Sequence, residues 1–231
     1  MVVLAVPRLR QIGTASCWRA RRDLPTISSA CQDEDVKAWI VAEPRPIGEG
    51  PLRMVEMPDP IPGPGQVRVR VEACGVCRTD LHLAEGDLQP RRPGTVPGHE
   101  VIGRVDSLGP GCDRFAVGDR VGIAWLRGTC GRCRWCRSGA ENLCPRANFT
   151  GWDADGGYAE LAVVNEAFAY RIPEHLEAPR AAPSCARASS ATGRSSGRSC
   201  HPAGGWASTA SAPPPTWWPR SPSNRARSST S

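Results

Sequence analysis

Four cysteines recur at Cys130-x2-Cys133-x2-Cys136-x7-Cys144. Four thiolates suit a tetrahedral Zn²⁺ held in a closed, structural site. Two-residue spacers let successive sulfurs fold onto one ion, and Gly131 and Gly139 supply tight turns. Arg132, Arg134 and Arg137 would lower the thiol pKa values and offset the charge of a tetrathiolate. A disulfide cluster is the competing use of such cysteines. No secretory signal is visible, which favours metal.

A second constellation is split along the chain. Cys74-Gly75-Val76-Cys77-Arg78-Thr79-Asp80-Leu81-His82 follows a strand-like run, and Gly98-His99-Glu100 follows a Pro-rich loop. Cys77 offers a sulfur and His99 a nitrogen, and a catalytic zinc keeps three protein ligands with one open position. Thr79 and Asp80 are equally suited to capping a short helix at its N-terminus. Cys74 and Cys112 read as small buried hydrophobes.

The elements that must position these residues are mostly strands. Gln66 to Glu72 alternates, with Val67, Val69 and Val71 on one face and Arg68, Arg70 and Glu72 on the other. That is the period of a half-buried strand. Further strands are expected at 37–42, 52–57, 101–108, 119–123, 158–164 and 168–172. Pro60-Ile61-Pro62-Gly63-Pro64-Gly65 is a turn that no helix tolerates. The single helix expected inside the unit is 78–84. The pattern predicts a small, mainly β barrel over residues 36–176, with long loops.

Composition narrows the classes. The chain has 231 residues, 40% apolar and 23% charged, which fits a globular protein. No apolar run approaches the roughly 20 residues that span a bilayer, so no membrane partner is expected. Residues 1–35 show no period and read as an unstructured extension. From Ala178 to Ser231 there is no Ile, Leu, Val, Met, Phe or Tyr, and the seven Arg there have no acid beside them. That excess is larger than the whole chain's net +6, so the basicity belongs to the tail. Such a composition buries too little apolar surface to offset ordering entropy, and disorder is expected over 177–231. The scattered Arg with no basic helix argue against nucleic acid as a partner.

In order, PxPGPGxVxVxV from Pro60, CGVCRTDLH from Cys74, GHE from Gly98, VGDRV from Val117 and the four-cysteine run resemble the zinc-dependent medium-chain alcohol dehydrogenases. The resemblance covers 36–176 and implies that family's GroES-like catalytic domain, a mainly β, partly open barrel with short helices. It implies one structural zinc on Cys130, Cys133, Cys136 and Cys144, and one catalytic zinc on Cys77 and His99. Glu100 would be the carboxylate beside the metal. Asp80 would hold the His99 ring by its second nitrogen, Thr79 would take the alcohol proton, and His82 would pass it to solvent. Arg78 matches the contact to the cofactor pyrophosphate. Trp125 is placed to line the substrate pocket or to serve as plain core. The implied activity is oxidation of a small alcohol to an aldehyde or ketone with NAD or NADP. A cytoplasmic location and, for the intact member, homo-oligomeric assembly go with it.

The resemblance stops near residue 178. The family continues into a Rossmann domain with a glycine turn after a strand, and Gly204-Gly205 has no such setting. Shifting the codon frame of Arg187 to Ser196 and of Gly205 to Trp218 by one base gives strings compatible with that domain. The tail therefore reads as out of frame, with a slip near Pro183, and Val36 as an alternative start. On this reading the chain as written is an inactive, truncated form. Cys185 follows Ala181-Ala182-Pro183-Ser184 as the family's third catalytic ligand follows an Ala-Ala-Pro. It is that ligand if the frame slips after it, and a coincidence if the frame slips at Ser184. The competing function is a zinc-stabilised β module without catalysis.

Overall fold

The computed structural model describes residues 3–5 and 35–191. Its strands are β1 (Val3–Ala5), β2 (Val36–Val41), β3 (Leu52–Met57), β4 (Gln66–Gly75), β5 (Val101–Leu108), β6 (Arg120–Ile123), β7 (Leu126–Gly128), β8 (Asn148–Phe149), β9 (Leu161–Asn165) and β10 (Ala169–Arg171). Helices α1 (Arg78–Glu85), α2 (Arg134–Arg137) and α3 (Ala178–Ala191) complete it, with 3₁₀ turns at Ile47–Glu49, Glu141–Leu143 and Glu166–Phe168.

The ten-residue β4 organises the fold. One of its edges pairs throughout with β5, and the other is shared by β9 over Gln66–Arg70 and by β1 over Ala73–Gly75. The sheet runs β1-β4-β5-β6-β10 and does not close on itself. Register shifts at Arg68/Val69 and Val71/Ala73 bend β4, as bulges do, and so curl the sheet. The β2–β3 hairpin is a separate ribbon, tied on by Trp39 N–H donating to Tyr158 O at 2.7 Å. This is the mainly β architecture that the alternation predicts, in the partly open form that the resemblance implies.

Val67, Val69 and Val71 point inward at 0, 0 and 5% exposure, joined by Val101, Val105, Val121, Ile123 and Val164 in the main core. β5 buries consecutive residues, Val101 and Ile102, because both faces of its start are covered. Val101 faces the main core. Ile102 belongs to a second core with Ala124, Ile172, Ala181, Ala182 and Cys185, which α3 covers.

Within 1–35 and 177–231 the described residues form two regular elements. Val3–Ala5 pairs antiparallel with Gly75–Ala73. Ala178–Ala191 is a helix even with Pro183 inside it. The absence of large aliphatic residues misleads here, because Ala181, Ala182 and Cys185 pack as small knobs on Ile102 and Ile172, which the sheet supplies. The Gly204-Gly205 stretch and the second codon string, 205–218, lie beyond residue 191, outside the described residues. Elsewhere the differences are local: the strand expected from Tyr158 starts at Leu161, and the hairpin β7–β8 and helix α2 were not foreseen.

Candidate metal centres

The four-cysteine loop lies between β7 and β8, and that antiparallel pair closes it at its base. Cys133 caps α2, its sulfur accepting from Cys136 N–H. Sulfur to sulfur, Cys133 and Cys136 are 3.4 Å apart, and Cys130 and Cys136 are 3.9 Å apart. All four sulfurs lie within 4.8 Å of one another, a spacing that one ion can bridge. The backbone N–H groups of Arg132 and Cys133 pull the Cys130 thiol down to about 5. Burial pushes Cys144 up to about 11. Burial opposes ionisation of Cys136 too, but contacts with Thr129 and neighbouring cysteines bring it below its ordinary value. A set of sulfurs this close, with one already acidic at neutral pH, has the donor chemistry of a thiophilic metal.

The second group is assembled from two loops. Cys77 is the N-cap of α1, and Asp80 Oδ2 accepts from Cys77 N–H at 2.8 Å. Asp80 Oδ1 accepts from Gly98 N–H at 3.0 Å and stands 3.3 Å from His99 Nδ1. One carboxylate thus joins the loop of Cys77 to the loop of His99. Asp80 thus caps α1 and also stands beside the His99 ring. Cys77, His99 and Glu100 each offer a ligand atom within 4.8 Å of the others. Glu100 fits because its neighbour Gly75 has no side chain: a Cβ there would stand 2.1 Å from Glu100 Oε2.

The electrostatics are those of a charged cluster. Contact with His99 lowers the Cys77 thiol against the effect of burial, with Thr79 assisting. Burial disfavours a charged His99, yet the Asp80 carboxylate and the Cys77 sulfur outweigh it and carry its pKa to about 9. Burial raises Glu100. The cluster holds sulfur, nitrogen and oxygen donors together with little water, which is the chemistry of a metal site with three protein ligands.

Other predicted site residues lie around this cluster. Thr79 Oγ1 is 3.7 Å from the Cys77 sulfur. His82 is half-buried with Nδ1 3.0 Å from Asp87 Oδ2. Arg78 is exposed. Cys185 is not part of either metal-competent group. Its sulfur is 1% exposed, lies 3.7 Å from Val101 O, and would meet a Cβ on Gly122 at 2.7 Å.

Sequence reasoning singled out Trp125 but missed its companions. Trp125 meets the His99 ring edge-on at 4.9 Å and stacks on Phe149 at 4.8 Å and Trp152 at 6.1 Å. Arg91 covers the Trp152 ring at 4.3 Å. This aromatic wall borders the cluster. Phe149 and Trp152 carry no spacing signal, since they reach the site only through the β7–β8 hairpin.

Fold and cluster together define a zinc-binding GroES-like domain, and comparison with known proteins agrees. Residues 63–174 match the family described as the alcohol dehydrogenase GroES-like domain. A probable alcohol dehydrogenase, AdhA, of Mycobacterium tuberculosis (strain CDC 1551 / Oshkosh) is 51% identical over 153 residues, which are 64% of this chain and 44% of that protein. The cobalt- and zinc-bound thermostable alcohol dehydrogenase of Pyrobaculum aerophilum is 32% identical with a TM-score of 0.57, over 62% of this chain and 42% of that one. A zinc-binding dehydrogenase of Sinorhizobium meliloti 1021, solved bound to NADP, is 34% identical with a TM-score of 0.57, over 64% and 41%. Over these residues the chain is similar to the zinc-dependent medium-chain alcohol dehydrogenases. It spans less than half the length of the curated relatives it matches. Among the described residues no helix is long and apolar enough to cross a membrane.

Proposed function

We propose that this chain supplies the metal and alcohol half of an alcohol dehydrogenase reaction, in which a small alcohol gives its hydride to NAD⁺ or NADP⁺ and its proton to solvent. The observation that carries the reading is the three-donor cluster of Cys77, His99 and Glu100 beside an aromatic wall, separate from a four-sulfur group. Three protein donors leave a coordination position for substrate, whereas four sulfurs close a site. Zinc bound to the first set acts as a Lewis acid that acidifies an alcohol hydroxyl.

The protein's own residues do the remaining work. Trp125, Phe149 and Trp152 present an apolar wall to the alcohol's carbon chain. Thr79 and His82 stand three residues apart on α1, and residues so spaced share a helix face. Thr79 accepts the hydroxyl proton and His82 passes it outward, while Asp87 holds the imidazole by Nδ1. Asp80 keeps Cys77 and His99 in register. Arg78, exposed at the helix start, pairs with a dinucleotide phosphate. Cys185 takes no role in this reading, as its sulfur lies in the second core. An oligomer is the family's usual working form.

Cobalt(II) substitution tests it. Two ions per chain are expected, one with the charge-transfer absorption of four thiolates and one with that of a single thiolate. Butan-1-ol should perturb only the second. Loading of a single four-sulfur ion with no response to alcohol would leave the chain a zinc-stabilised β module and overturn the proposal.

A further inference from the structure

Among the described residues three buried side-chain nitrogen or oxygen atoms have no hydrogen-bond partner, and two of them, His99 Nδ1 and Tyr158 Oη, neighbour the Asp80 carboxylate. Tyr158 is brought there by the backbone. Gly156 N–H donates to Val96 O, Gly157 N–H to Gly98 O and Tyr158 N–H to Pro97 O, at 2.8, 2.8 and 3.0 Å. These bonds lay 156–158 alongside the segment that delivers His99. The Tyr158 ring then packs on Gly98, where a Cβ would stand 2.5 Å from Cδ1. The residue is 5% exposed. Packing alone asks only for the ring. A hydroxyl taken out of water is unfavourable unless it finds an acceptor, and Asp80 is the first carboxylate among its neighbours.

We propose that Tyr158 is a positioning residue of the Cys77–His99–Glu100 centre: its hydroxyl donates to Asp80 and fixes the carboxylate that orients the His99 ring. The inference rests on reading that centre as a metal site. Asp80 already accepts from Cys77 N–H and Gly98 N–H. A third donor keeps it turned toward His99 Nδ1. A carboxylate so held accepts a hydrogen bond from Nδ1–H and leaves the other ring nitrogen free to donate its lone pair to a metal.

Tyr158→Phe keeps the ring and removes the oxygen. Cobalt(II) titration of the full chain reads the two centres separately, because the number of sulfur ligands sets the charge-transfer intensity. The variant is expected to bind cobalt about 10-fold more weakly at the Cys77 centre, with altered d–d bands there. Affinity at the four-cysteine centre and the melting temperature of the metal-free chain should not change. Equal affinity at the Cys77 centre overturns the proposal. Equal weakening at both centres, or a lower melting temperature without metal, shows Tyr158 to be packing only and overturns it too. If the wild-type chain loads only the four-cysteine centre, the metal reading itself fails, which the variant result alone would not show.

Discussion

Gly98 stands between the two halves of the cluster, and its backbone does what no other residue can. Its φ is +94°, a conformation open to glycine and strained for side chains. Its N–H donates to Asp80, and an added Cβ would run into the Tyr158 ring at 2.5 Å and the Cys74 sulfur at 2.8 Å. Gly98→Ala is therefore expected to destabilise the fold by about 2–4 kcal/mol, combining backbone strain with overpacking. Chemical denaturation of the metal-free protein checks this, since metal affinity would confuse the reading. The sequence makes Cys77 and His99 visible because metal chemistry is restricted to few residue types and keeps local spacing. Asp80 is visible only through family resemblance. Tyr158, Phe149 and Trp152 are not visible at all, because their relation to His99 exists only once distant segments lie side by side.

The four-cysteine lobe shows how an element too small to hold itself together is fixed. Between Gly128 and Asn148 the only regular elements are the four residues of α2 and a single 3₁₀ turn. Cys130, Cys133 and Cys136 are only partly buried, and Trp135 packs under the Arg134 guanidinium at 4.3 Å and not in the core. A bound metal would supply the cross-link that apolar packing does not. Cys133→Ser is expected to remove one zinc per chain by elemental analysis and to lower the melting temperature, with the loss reproduced in the wild type by a chelator. An unchanged melting temperature with zinc still at the wild-type level would contradict the role of this group. Element assignment from sequence follows the same physics. β4 is legible because Val67, Val69 and Val71 alternate with charged residues on a half-exposed surface. α3 is not, because its buried face is Ala181, Ala182 and Cys185, and a small face reads as apolar only when the opposing Ile102 and Ile172 are known.

At the scale of the whole molecule, ion pairs lock the end of the sheet to the segment that leads into α3. Arg120, 7% exposed, bonds Glu72 on β4 and the carbonyls of Pro173, Glu174 and Leu176. Arg104 on β5 reaches Glu72 at 3.0 Å and Glu174 at 2.6 Å. Asp119 accepts from Ala116 N–H and from Arg171 on β10. These partners lie up to 70 residues apart, so charge alternation within one strand announces the charges but not their pairing. Hydrogen bonds from Arg104 lower the Glu174 carboxyl below its ordinary value, and the Ala116 N–H, followed by Arg171, lowers Asp119. A carboxyl with a depressed folded pKa adds stability that is present above its unfolded value, about 3.9 for Asp and 4.3 for Glu. That stability is lost as pH falls through the folded value. Urea midpoints of the metal-free chain are therefore expected to hold steady from pH 7 to about pH 5 with respect to these two groups, then to fall progressively below about pH 4. Glu174→Gln together with Asp119→Asn should flatten the decline. Both carboxylates are open to solvent, with Glu174 67% exposed, so added salt should shrink the difference between the double variant and the wild type. A decline of equal steepness in both proteins would assign the acid sensitivity to other carboxylates and leave this clamp without a measurable part in holding α3 to the sheet.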